Sequence, residues 1–233
     1  MSLPTDYNNS INKQLNLAAV FPLNTAGVAP GAYGFFYDGT WQRVGTIEDF
    51  GEYQTPSSPA PYRDSFNYST QHIKSVNYVI NGSYQVVPEI PVDAAQAAIK
   101  FTFSASNQFQ ATLNGLTNVA YDLSIFSKIA GQVRTKDKFY DWRFITSVIY
   151  AESVVLFGAE SSKASITLNG SGTALTEYGE FSLSESLSFG DDEEMSFKHI
   201  GVLSPEPYPF AMNLISYSKH HSDKIYYQRN GNE

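Results

Sequence analysis

Residues 99–113 read IKFTFSASNQFQATL, and this stretch decides the fold class. Its odd positions hold Ile99, Phe101, Phe103, Ala105, Asn107, Phe109, Ala111 and Leu113, and its even positions hold Lys100, Thr102, Ser104, Ser106, Gln108, Gln110 and Thr112. One side is apolar save for Asn107, and the other is wholly polar. An alternation of period two kept up over this length specifies pleated backbone with one dry and one wet face. It predicts one long strand, or two strands parted near Ser106-Asn107.

Working outward, hairpins flank this stretch. Residues 72–87 carry Asn81-Gly82 between two β-prone runs, and residues 32–47 carry Asp38-Gly39 between aromatic-rich runs. Both dipeptides supply the positive φ that tight hairpin turns need. Pro56, Pro59 and Pro61 mark residues 54–65 as an extended loop. After Leu113 the period changes. Leu116, Val119, Ala120, Leu123, Phe126, Ile129 and Ala130 share one helical face, which predicts a main helix at about 116–131. Residues 139–157 are apolar on both parities after Trp142, as expected of one central strand buried on two faces. Residues 163–168, 195–203 and 210–218 read as further strands, and residues 180–189 alternate again, with Glu185 on the apolar side. The expected fold is α+β and predominantly β: an antiparallel sheet or sandwich of hairpins with one main helix. Residues 1–233 read as a single β-rich domain. Residues 1–20 form either an arm or a short helix capped by Ser10, and residues 220–233 form a tail expected to fray.

Composition narrows the function. The chain has 233 residues and is 15% aromatic but only 16% charged, against about 25% charged in an average domain. Fifteen Lys+Arg against 23 Asp+Glu give a net charge of −8. That balance disfavours nucleic acid, whose partners carry a basic field. No cysteine is present, which removes disulfides, thiolate metal sites and cysteine nucleophiles. No phosphate loop, dinucleotide fingerprint, zinc-protease motif or serine elbow occurs, so the expectation is a protein that is not an enzyme and holds no cofactor. His72 and His199 read as structural. His220, His221 and Asp223 form the only His/carboxylate cluster, and adjacent histidines on a strand point apart, so no metal site is assigned. Residues 1–30 lack a charged stretch leading into an apolar run, and no segment approaches the ~20 apolar residues of a membrane-crossing helix. The expectation is cytoplasmic synthesis, with assembly into a virion as one destination.

Two segments stand out by charge. Lys136, Lys138, Tyr140, Trp142 and Arg143 form a basic, aromatic stretch opposed only by Asp137 and Asp141; Asp191, Asp192, Glu193 and Glu194 form the densest acidic run. Opposite fields on one chain can guide head-to-tail contact between copies, and a basic aromatic loop also suits anionic lipid headgroups. These nine residues are the candidate interaction residues. The expected function is that of a self-assembling or interaction protein, such as a virion or tail subunit, with a homo-oligomer or protein partner and a membrane surface as the partners in view. One alternative is a β-hairpin pore-former, because residues 99–113 and 180–189 match the alternation of membrane-crossing strands apart from Asn107 and Glu185. Another is a carbohydrate- or protein-binding module using exposed rings.

Overall fold

The computed structural model describes residues 2–21, 27–37, 40–51, 53, 55–71, 73–80, 83–85, 97–170, 187–201, 207–219 and 225–227. It is α+β and predominantly β, as the alternation at 99–113 implies. Helix α1 spans Leu3–Leu15 and α2 spans Leu123–Val133. The strands are β1 (Ala18–Ala19), β2 (Ala32–Tyr37), β3 (Thr40–Thr46), β4 (Ala60–Ser69), β5 (Ile73–Ile80), β6 (Ser83–Gln85), β7 (Ala97–Phe103), β8 (Gln108–Ala120), β9 (Arg143–Ala151), β10 (Ser153–Ala159), β11 (Ser165–Gly170), β12 (Ser188–Glu193), β13 (Phe197–Gly201), β14 (Tyr208–Tyr217) and β15 (Ile225–Tyr227). A ten-stranded sheet runs β1-β14-β9-β8-β10-β13, with β15 added to β14, β2 to β9, β3 to β2, and β4 to β8. A five-stranded sheet runs β12-β11-β7-β5-β6.

The decisive stretch is two strands, parted where the chain was expected to part. Asn107 adopts a left-handed φ of 54°, a conformation asparagine tolerates better than most residues. The break sends β7 to the small sheet and β8 to the large one. Ile99, Phe101 and Phe103 then meet Ile166 and Leu168 of the small sheet and Val155 and Phe157 of β10 in one core. On β8, Phe109, Ala111 and Leu113 face a second core, closed from outside by Tyr7 and Ile11 of α1. A third core lies under α2, where Phe126, Ile129 and Val133 pack on Tyr33, Phe144 and Tyr217.

The main helix starts later than its periodicity suggests. Leu116–Ala120 continue β8, paired to β4 on one side and to β9 on the other. The helix opens at Asp122, whose carboxylate accepts from the Ser124 N–H at 2.8 Å, an N-cap that stops the strand and satisfies an orphan donor. Residues 54–65 are not all loop, because β4 begins at Ala60. It tolerates Pro61 because the register slips between Pro61 and Arg63, and a bulge on an edge strand is where a missing N–H does least harm. The buried run 139–157 is not one strand. A 3-10 turn occupies Phe139–Asp141, and Glu152 separates β9 from β10 while its N–H donates to the Asn114 carbonyl at 3.0 Å. Beside this break β8 trades β10 for β9 as its neighbour, and Gly115 carries the bend with φ 61°.

The N-terminal stretch is helix α1; its N-cap position is Ser2 rather than Ser10, and the Ser2 side chain meets the Thr5 hydroxyl at 3.0 Å instead of a backbone N–H. Leu3, Tyr7 and Ile11 recur one turn apart and are all buried, and the Asn8 side chain accepts from the Ala19 N–H at 2.8 Å. Within the stretch expected to fray, Ile225–Tyr227 pair with β14 as β15. Of the alternating run 180–189, residues 180–186 lie outside the described residues.

Candidate functional site

Strands β2 and β3 form a two-stranded ribbon that outruns the sheet. Only Tyr33 and Gly34 pair with β9, opposite Phe144 and Arg143. Beyond them Phe35, Phe36 and Tyr37 pair with Gln42, Trp41 and Thr40 alone. Gly34 sits so close to β3 that a Cβ there would collide with the Gln42 carbonyl oxygen, so this position accepts no side chain. Tyr33, Phe35 and Tyr37 share one face of β2, where Tyr33 is buried but Phe35 is 40% and Tyr37 71% exposed; on the other face Phe36 is half-buried and its partner Trp41 buried. Trp41 is fixed by its indole N–H, which donates to the Gly27 carbonyl at 3.1 Å. Two large rings therefore stand exposed where the Tyr33 face, the outer face of the ribbon, runs past the sheet, while Phe36 and Trp41 anchor the inner face.

The basic stretch lies at the foot of this ribbon. After α2 the chain turns through Lys136, passes Lys138 in a left-handed conformation (φ 58°), makes the 3-10 turn and enters β9 at Arg143. Arg143 Nη1 donates to the carbonyls of Tyr140 at 3.3 Å and Trp142 at 3.2 Å, tying the loop to the start of the strand. Burial lowers the Arg143 pKa, with Asp141 acting in the opposite direction; the guanidinium stays charged regardless. Trp142 leans on Tyr33 with ring centroids 4.7 Å apart, and the Lys219 ammonium sits 4.6 Å over the Tyr140 ring. Ribbon and loop enclose an open cleft of about 630 Å³ lined by Phe35, Phe36, Lys138, Asp141, Trp142 and Arg143.

Of the basic candidates, Lys138, Trp142 and Arg143 thus line one cleft. Lys136 and Tyr140 are exposed on the same loop, outside the lining. Sequence reading missed Phe35 and Phe36. The run AYGFFY before Asp-Gly signalled a hairpin, but with rings on both parities it did not show which face was wet. The acidic candidates sit elsewhere. Asp191, Asp192 and Glu193 are exposed on β12, an edge strand of the small sheet, and Glu194 follows with φ 54°. Asp192 forms an ion pair with Lys198, and the Ser161 hydroxyl donates to Glu194. The basic segment is thus the loop that leads into β9 of the large sheet, and the acidic one lies at β12 of the small sheet.

His199 lies on β13 with its ring 5.1 Å from Tyr208, and its Nε2 is buried without a partner among the described residues. Burial lowers its pKa. His72, His220, His221 and Asp223 lie outside the described residues. Among the described residues no three His, Asp or Glu side chains gather as metal ligands, and no helix is long and apolar enough to cross a membrane.

No protein-family profile matches the chain, and no curated protein matches it. Among solved structures, it is similar to a bacterial gasdermin from Bradyrhizobium tropiciagri, with 12% identity over 95% of this chain and 90% of that one and a TM-score of 0.36. A likeness that slight assigns neither family nor function.

Proposed function

We propose that this is a non-enzymatic, self-assembling β protein in which the acidic edge of one copy meets the basic loop of the next. One observation carries this reading: two segments of opposite sign and largely exposed, the loop Lys136–Arg143 that leads into β9 of the large sheet and Asp191–Glu194 at β12 of the small sheet, occur on one chain. Each would find in a second copy the counter-charge that its own surroundings supply only in part. A contact of this kind is heterologous, so it propagates into a ring or a filament rather than stopping at a two-fold dimer. The solution mass from light scattering tests it. Lys136→Glu with Lys138→Glu, and Glu193→Lys with Glu194→Lys, should each reduce the mass to that of a monomer, and an equimolar mixture of the two variants should recover a heterodimer. A wild-type mass of one chain across the concentration range excludes the proposal.

A second reading, pore formation, draws on the exposed rings of the ribbon. Leakage from vesicles that exceeds the buffer control supports it. The strands of alternating character would have to leave the core for this to occur, because Ile99, Phe101 and Phe103 pack between the two sheets. A neutral sugar is the less suitable occupant of the cleft, since Lys138 and Arg143 both line it.

A further inference from the structure

We infer that the outer face of the β2–β3 ribbon and the cleft at its foot dock on a bilayer containing anionic lipid. A bilayer competes with the acidic edge of a second copy for the cations of this loop, and the exposed rings favour the bilayer. The acidic edge strand presents Ser188, Gly190, Asp191, Asp192 and Glu193 beside Phe189, and that Phe is packed against the protein's own core. Such a strand can neutralise lysines but offers little apolar surface to cover Phe35 and Tyr37. A two-stranded ribbon is marginal in water unless one face is packed, and this ribbon packs its Phe36–Trp41 face but packs the other only at Tyr33, leaving Phe35 and Tyr37 exposed. Rings standing outward next to cations match the chemistry of the bilayer interface. Aromatic side chains settle at headgroup depth there, and Lys and Arg meet the negative surface potential.

The distribution of charge fits the same occupant. Lys138 and Arg143 line the cleft against one carboxylate, Asp141. Lys136 and Asp137 are both exposed on the same loop and offset each other, and Lys219, held over Tyr140, adds a further cation. Each cation close to an anionic surface raises partition about five-fold, and burying a ring such as Phe35 adds a factor of ten or more. Both contributions are needed, so neutral bilayers bind weakly and the ring-truncated protein binds weakly everywhere.

Docking and self-assembly use the same loop, and the test separates the two. The full chain is sedimented with phosphatidylcholine vesicles and with vesicles of phosphatidylcholine mixed with phosphatidylserine. Binding should be confined to the mixed vesicles. The double variant Phe35→Ser/Tyr37→Ser keeps every charge, so its mass in solution should match wild type while its vesicle partition falls at least ten-fold. Both side chains are exposed, and an unchanged melting temperature confirms that the fold is kept. In a Trp41→Phe background, Trp142 emission should shift to the blue and be quenched by brominated lipid. Equal binding to neutral vesicles, undiminished binding of the double variant, or Trp142 emission unaffected by brominated lipid overturns the docking proposal without touching assembly. A monomeric wild type that still binds mixed vesicles overturns assembly and leaves docking standing.

Discussion

Removing one oxygen from the protein should stabilise it. Tyr7 is fully buried on the inner face of α1, and its hydroxyl has no hydrogen-bond partner among the described residues. Its ring packs edge-on to Phe109 with centroids 4.8 Å apart and tilts against Phe21 at 5.3 Å. Burial also drives the phenol pKa far above its ordinary value, so the group is a neutral dipole at every pH at which the protein is handled. A buried hydroxyl stripped of water and left unpaired costs about 1–3 kcal/mol. Tyr7→Phe deletes that penalty and keeps both ring contacts. The expected gain is about 1 kcal/mol, since part of the penalty relaxes in the native state. For a chain of this size that corresponds to a rise of about 2–4 °C in melting temperature. Tyr7→Ala is the control. It removes the ring as well and should lose about 3–5 kcal/mol. Urea titration followed by circular dichroism reads both, with the slope expected to stay constant for Tyr7→Phe. A loss of 1 kcal/mol or more in Tyr7→Phe refutes the reasoning, because the hydroxyl must then have a partner.

Tyr217→Phe should move stability the other way. Its buried hydroxyl donates to the Phe126 carbonyl at 2.6 Å and joins β14 to α2, so about 0.5–1.5 kcal/mol should disappear from the unfolding free energy. Gly115→Ala should cost about 1–2 kcal/mol from its φ of 61° alone, and the new methyl must also displace the Glu152 carboxylate; the melting temperature reads the sum. His199 has a lowered pKa in the fold and an ordinary one near 6.5 when unfolded. Its contribution is fully present above that value and is lost as pH falls below it toward the folded pKa. His199→Phe should flatten the stability profile across that window, and an unchanged profile would show that the ring is solvated.

How far the sequence could be read depended on whether a local pattern had one physical meaning. Residues 99–113 had one. Period two with a polar break at Asn107 has no helical counterpart, and both strands appear where the pattern places them. Leu116, Val119 and Ala120 fitted a helix and a strand alike. Their state was settled by β4 and β9, roughly 55 residues before and 30 after in the chain, which local pattern cannot weigh. Asp122 was the legible stop, with its side chain turned to the Ser124 N–H. The prolines before β4 hid a strand because the rule against proline in ladders does not hold at a bulge. At the candidate site the charges of Lys138 and Arg143 were legible but their aromatic neighbours were not. Phe35 comes about 100 residues earlier, and whether a ring in a hairpin is core or surface depends on how far the hairpin outruns its sheet.

The sheet edges constrain how copies can join. β4 pairs only with β8 among the described residues, and its outer side meets water along Ala60–Asp64. It carries Pro61, a bulge, Arg63 and Asp64, features that discourage a further strand from adding. β12 carries three consecutive carboxylates and is closed to ladder growth for the same reason. Association at these two edges therefore runs through side-chain charge rather than by extending a sheet, and the two modes respond differently to salt. The reach of exposed charges shrinks from about 10 Å at 0.1 M to about 3 Å at 1 M ionic strength, whereas added main-chain ladders are largely indifferent to it. The mass from light scattering should fall to that of one chain as sodium chloride rises from 0.1 to about 1 M, and recover on dialysis. An oligomer that keeps its mass at high salt would mean that an edge strand is paired after all, and that Pro61 and the carboxylates of β12 do not close these edges.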